Sequence, residues 1–197
     1  MRMGAAGRSG LWWGQRVLLA VAVFMLAWCA FMVADAWIFQ NRERRQFDQA
    51  LAERVPNPDA QQIPAVKAGG IIGRIEIPRL GISVFVIEGT GTKALRRAAG
   101  HIAGTALPGQ PGNVGISAHR DTFFRPLRNV RVHEIITLTT KRGEYRYRVV
   151  STRIVDPADV SVLNSSTNQV LTLVTCYPFY FVGSAPDRFI VRAERIG

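Results

Sequence analysis

Of the two cysteines in the chain, Cys176 alone lies outside the long apolar segment near the N-terminus, which holds Cys29. Cys176 ends the run VLTLVTC, residues 170–176. Its continuous apolar and threonine character predicts a buried strand with the thiol at the C-terminal end, where loops can open a cleft. Twelve positions later, after a loop holding Pro178, Gly183 and Pro186, Arg188 opens a second apolar run, residues 189–193. If the two strands pair antiparallel, the positions on either side of the loop oppose each other with Cβ atoms ~4.5–5.5 Å apart. Cys176 and Arg188 would then be neighbours. A cation beside a thiol favours the thiolate, the form that attacks a carbonyl carbon. A guanidinium can also donate to the oxygen that turns negative during that attack.

Such chemistry needs a proton carrier for the leaving amine, and imidazole suits that task near neutral pH. His119 follows an apolar run and opens the polar stretch Arg120, Asp121, Thr122, a strand-end position like that of Cys176. His101 sits between Gly100 and Ile102, and His133 precedes Glu134 in a turn. Spacing brings none of the three to the thiol, so all remain candidates. No CxxC or HExxH spacing accompanies these residues, and neither a catalytic metal nor another cofactor is expected. A single cysteine in an apolar strand also fits a small buried hydrophobe. The residue pattern therefore leaves a non-enzymatic, envelope-binding β-domain open.

The elements that must position these groups read as β-structure. Residues 71–77, 82–87, 114–117, 135–140, 145–155, 170–175 and 189–193 are short β-branched or alternating runs between Gly, Pro, Asn and Asp. Residues 93–99 read as one short helix. Seven or eight strands in a chain segment of this length predict an all-β domain closed, or nearly closed, into a barrel, which hides the edges a sheet would expose.

Ahead of this domain, residues 17–34 carry no charge, and apolar residues continue through Phe39. A helix of that length matches the ~30 Å hydrocarbon core of a bilayer, and Trp12, Trp13, Trp28 and Trp37 include rings near both ends. The small-residue triplet Ala34, Asp35, Ala36 also fits a signal-peptide cleavage site, but the apolar region exceeds the usual ~7–15 residues. The expected organisation is a cytoplasmic terminus at 1–16, a transmembrane signal-anchor at 17–39, a solvated helical stalk and linker at 40–70, and the β-domain at 71–197. The arginines flanking the span, three on each side, leave its orientation a tie.

The formal charge is +11, with 17 basic and 9 acidic residues in 69–197 and 8 and 5 in 1–68. Such a field could attract nucleic acid, anionic lipid or a wall polymer. The apolar span decides for membrane lipid and against nucleic acid. An exported domain would hold Cys176 as a lone thiol, exposed to oxidation unless it is buried or used.

Two blocks carry a family resemblance. TLVTCYPFYFVGSAPDRFIV, residues 172–191, resembles the nucleophile region of sortases, where a TLxTC strand precedes an arginine on the next strand. ALPGQPGNVGISAHRDTFFRPLRNV, residues 106–130, resembles their histidine region. The resemblance spans about residues 73–196 and implies an eight-stranded β-barrel, with Cys176 as nucleophile, His119 as acid/base, Arg188 on the oxyanion or substrate carbonyl, and Thr175 lining the substrate site. It also implies cleavage of an LPxTG-like C-terminal sorting signal on protein substrates. Transfer to an amine of the cell wall or of a pilin would follow, outside the cytoplasm. The 177–186 loop most resembles class D-like members. Ser117 and Ala118 depart from the Ala-Gly that many relatives place before the histidine, and His133 falls in a turn that often holds glycine. A peptidoglycan-acting cysteine transpeptidase is the other enzymatic reading, but its usual SxGC setting differs from Val174-Thr175-Cys176.

Overall fold

A computed structural model of the chain describes residues 5–52, 66–180 and 183–197. The chain divides into two compact units, Met1–Phe39 and Gln40–Gly197. The described residues of the first unit lie in helix α1 (Ala5–Ala52), which runs on past Phe39 and whose span Trp12–Gln49 is long and apolar enough to cross a membrane by length and composition. Most of the linker expected up to residue 70 lies outside the described residues.

In the second unit, eight strands close into a barrel in the order β1-β2-β3-β4-β7-β8-β6-β5. They are β1 (Ile71–Ile77), β2 (Ile82–Glu88), β3 (Ala99–His101), β4 (Gly112–Ser117), β5 (Ile135–Thr140), β6 (Glu144–Val155), β7 (Gln169–Tyr177) and β8 (Asp187–Arg195). Two neighbouring pairs, β2–β3 and β4–β7, are parallel, and the rest are antiparallel. Alternation sends Ile75, Val84, Ile116, Leu138, Leu171, Leu173 and Val191 into a common interior, where each is fully or almost fully buried. Period-two burial of β-branched and leucine side chains is what makes these segments strands rather than helices.

All seven expected runs appear as strands, two with the expected bounds and five longer by one to four residues. The eighth, β3, falls where the short helix was expected to end. Helix α2 (Thr92–Arg97) stops early, and Ala99–His101 pair with both β2 and β4. A Cβ at Gly100 would lie 2.3 Å from the Gly89 carbonyl oxygen, so the approach that seats β3 requires glycine there.

One face of the expected solvated stalk is buried. Phe47 of α1 is 2% exposed and meets Phe85 of β2 edge-on, ring centroids 5.5 Å apart. Gln40 Oε1 accepts from the Phe85 N–H at 3.1 Å, and Gln40 Nε2 donates to the Arg97 carbonyl at 2.7 Å. Arg74 of β1 donates to Asp48 at 3.2 Å. The carboxamide supplies a bond that β3, too short to reach this part of β2, leaves unmade.

Candidate active site

Because β4 and β7 run parallel, their C-terminal ends lie at the same end of the barrel. The register sets Gly112 against Gln169 and continues to Ser117 against Val174. Two bonds extend the match: the Ala118 N–H donates to the Val174 carbonyl at 3.2 Å, and Thr175 Oγ1 donates to the Ala118 carbonyl at 2.8 Å. His119 follows Ala118 as Cys176 follows Thr175, so both leave this matched stretch at the same end. On the other side of β7, Cys176 and Arg188 are register partners. Cys176 and Arg188 thus come from the adjacent strands β7 and β8, and His119 from the segment two residues beyond the end of neighbouring β4, at the same rim.

The side-chain directions follow from alternation. Leu171, Leu173 and Thr175 point inward, so Thr172, Val174 and Cys176 point outward. Cys176 is a free, half-buried thiol. Arg188 is half-buried, and its Nη1 donates to the carbonyls of Asp187 at 2.9 Å and Ala185 at 3.3 Å. Those acceptors leave its remaining N–H groups available in a fork held near the thiol. Thr175 is 1% exposed, and its hydroxyl joins β7 to the residue preceding His119.

The other histidines are placed elsewhere. His101 is buried on β3, paired with Ile116 of β4, with Nδ1 2.8 Å from Glu88 Oε2 and Nε2 3.0 Å from both the Ala106 carbonyl and Thr105 Oγ1. His133 is exposed, and its φ of 72° lies in the left-handed region that favours glycine. Arg120, 6% exposed, donates to the Gly183 carbonyl at 3.0 Å, which ties the segment after His119 to the β7–β8 loop.

Residues the sequence did not single out shape the floor below the thiol. Asn113 of β4 is buried. Its Oδ1 accepts from Thr172 Oγ1 at 2.7 Å, while its Nδ2 donates to the Val162 and Asn164 carbonyls at 3.0 and 3.3 Å. These bonds fasten the turn of 3-10 helix Val160–Leu163 across the outer face of β4 and β7. Gly115 makes room for it, since a Cβ there would stand 3.1 Å from the Leu163 side chain. Under the rim, Tyr177, Phe179 and Phe189 pack together with centroid separations of 5.3–6.4 Å. A cavity of about 130 Å³, lined by Val66, Ile71, Leu107 and Lys141 among others, opens at the opposite end and is remote from these groups. Burial pushes the Tyr147 hydroxyl up to about 12 against the lowering effect of Arg195, a property of the core rather than of this rim.

The sortase domain model matches residues 75–196, a stretch that contains all three rim groups. The chain belongs to the sortase family. It is 34% identical over 131 residues to Sortase D of Bacillus subtilis (strain 168), with 66% of each protein aligned. Against Sortase A of Listeria monocytogenes the identity is 30% over 110 residues, covering 54% of this chain and 49% of that one. Among solved structures, a Sortase D5 transpeptidase from Clostridium perfringens superimposes with a TM-score of 0.71 at 27% identity, covering 81% of this chain and 99% of that chain. The eight-stranded barrel expected from the sequence is thus a sortase barrel.

Proposed function

We propose that the chain is a membrane-anchored sortase of class D type. It cleaves an LPxTG-like sorting signal and transfers the acyl part to an amine of the cell envelope or of a pilin. Family membership supports the transpeptidase reaction. The observation that carries the residue roles is the juxtaposition of Cys176 with its register partner Arg188 on one side and the His119 strand on the other.

In this reading the Cys176 sulfur attacks the scissile carbonyl, forming a C–S bond, and the carbonyl oxygen becomes an oxyanion to which Arg188 donates. The tetrahedral adduct collapses as the C–N bond breaks. His119 gives its proton to the departing amine, leaving a thioester. An incoming amine then attacks the thioester, loses its proton to His119, and expels the thiolate as the new amide forms. Thr175 acts as a positioning residue: its bond to Ala118 holds the histidine strand in register with the nucleophile strand.

The apolar helix near the N-terminus supports anchoring in lipid, and family membership supports placing the catalytic domain on the extracytoplasmic side with residues 1–16 in the cytoplasm. A quenched LPxTG-type peptide supplied with an added amine tests the reaction. Intact-mass detection of a thioester on Cys176, followed by the transpeptidation product, is the expected result. Peptide turnover that persists in Cys176→Ala would overturn it.

A further inference from the structure

The outer face of β6, β7 and β8 continues away from the thiol into a basic cleft. Outward positions on β8 are Arg188, Ile190 and Arg192, opposite Cys176, Val174 and Thr172 of β7. Across β8, Arg153 of β6 is the partner of Ile190 and Ser151 the partner of Arg192. These residues, with Val162 of the 3-10 turn, line a shallow cleft. Among the described residues, neither Arg153 nor Arg192 enters an ion pair. Arg79 and Arg74, by contrast, face Glu134 and Asp48. Near Arg153, Asp156 accepts from the Ala158 N–H and Asp159 from the N–H and hydroxyl of Ser161, while Glu194, two residues beyond Arg192 on the same face, is exposed and stands opposite Arg148 of β6.

We propose that Arg153 and Arg192 bind a carboxylate side chain of the sorting-signal peptide, at the residue directly before the leucine of an LPxTG-type motif. The proposal rests on the transpeptidase reading above and extends it to specificity. Its geometry comes from strand spacing. Four steps along β7 separate Cys176 from Thr172, the partner of Arg192, which corresponds to ~13 Å at ~3.3 Å per residue. An extended peptide advances by about the same amount per residue. A side chain over the arginines therefore belongs to the fourth residue before the attacked carbonyl. When that carbonyl belongs to the threonine of the motif, the fourth residue before it directly precedes the leucine.

The path between the two points suits a peptide. Val174 is half-buried and Ile190 is 3% exposed, giving an apolar floor next to the thiol. Beyond them Thr172 is fully covered, and Asn113 fastens the 3-10 turn above it. A chain following β7 away from Cys176 meets this turn and is deflected across β8 toward β6, where the two guanidiniums stand. Residues before the scissile bond remain on the enzyme as the thioester. A carboxylate held here would steady the acyl group while the amine arrives.

The test uses the full-length protein in detergent and three quenched LPxTG-type peptides with Glu, Gln or Lys before the leucine. Initial rates give kcat/KM, and fluorescence anisotropy with Cys176→Ala gives binding without turnover. We expect Glu to exceed Gln by roughly fivefold, the upper range for partly exposed ion pairs, with Lys lowest and the preference shrinking as salt rises. In R153Q/R192Q the Glu:Gln ratio should fall to about one, and in Arg192→Glu the Lys peptide should overtake the Glu peptide. Equal use of Glu and Gln by a parent that cleaves both overturns the carboxylate site and leaves the transpeptidase reading standing. Glu preference retained in the double variant also overturns it. A Glu preference in binding without cleavage of any peptide supports the site while overturning the transpeptidase reading, and neither binding nor cleavage overturns both.

Discussion

On the outer face of β2, the Phe85 ring is covered by Phe47, its N–H is bonded to Gln40, and Arg74 on neighbouring β1 faces Asp48. On the outer face of β7 and β8, Cys176, Arg188 and Arg192 remain half-exposed, and neither arginine meets a carboxylate among the described residues. Both faces belong to one barrel and offer similar groups to solvent. The chain's own helix satisfies the first, so that face contributes to stability. The second is held open by secondary bonds, chiefly those of Asn113 and Thr175, and its charge and thiol stay free for an outside partner. A surface whose donors are satisfied within the chain acts as structure, and one whose donors are aligned but unused is a candidate binding face.

The comparison breaks most sharply at the open face. Cys176→Ala should give no thioester by intact mass, and His119→Ala should nearly abolish the amide product. Arg188→Lys keeps the charge but loses the planar fork. It should lower kcat/KM by about 10² to 10³, the loss of ~2.7–4 kcal/mol expected for one good oxyanion donor. A lysine variant matching the parent in this assay would remove Arg188 from the oxyanion role.

At the covered face the readout should change from rate to stability. Phe47→Ala should lower unfolding stability by about 3 kcal/mol, as large-to-small changes at buried aromatics do, while kcat/KM per folded molecule stays at the parent value. A fragment beginning at Gln40 should likewise outlast one beginning at Ala65 in denaturant. Equal midpoints for the two fragments would mean the helix contact contributes nothing.

Asn113→Ala lies between the two cases. It leaves the Val162 and Asn164 carbonyls and the Thr172 hydroxyl without that partner, at a cost of about 2 kcal/mol for buried polar groups left unsatisfied. Because the 3-10 turn borders the cleft, KM should rise more than kcat falls. The smallest effect should come from Gln40→Ala, about 1 kcal/mol for one replaced set of hydrogen bonds, with faster amide exchange at Phe85 as its local signature.

Much of this arrangement was legible in the sequence. The β-branched runs identified seven strands, and the short loop from Cys176 to Arg188 implied their pairing. The alternation that buries Leu171 and Leu173 also points Thr175 inward, so its orientation could have been read from the same pattern. Strand β3 could not, since Ala-Gly-His has no strand preference of its own and pairs only because β2 and β4 flank it. The placement of His119 at the same end of the barrel as Cys176 likewise depends on the parallel pairing of β4 with β7, a long-range contact that local spacing does not encode. Burial of Phe47 escaped for a related reason: one aromatic among charged residues on a helix resembles a solvated face until a partner surface is known.

That parallel pairing joins residues 57 positions apart, as in the bond from Thr175 to Ala118. Closing so long a loop costs entropy before any contact compensates for it, and pairings of this kind form late in folding. Arg188 then takes its place only when β8 docks on β7. A chain crossing a membrane unfolded would therefore carry Cys176 through an oxidising space before its neighbours are assembled. The expected signature of a folding defect in this barrel is sulfenic or mixed-disulfide adducts accumulating on Cys176, with the surviving reduced molecules turning over at the normal rate.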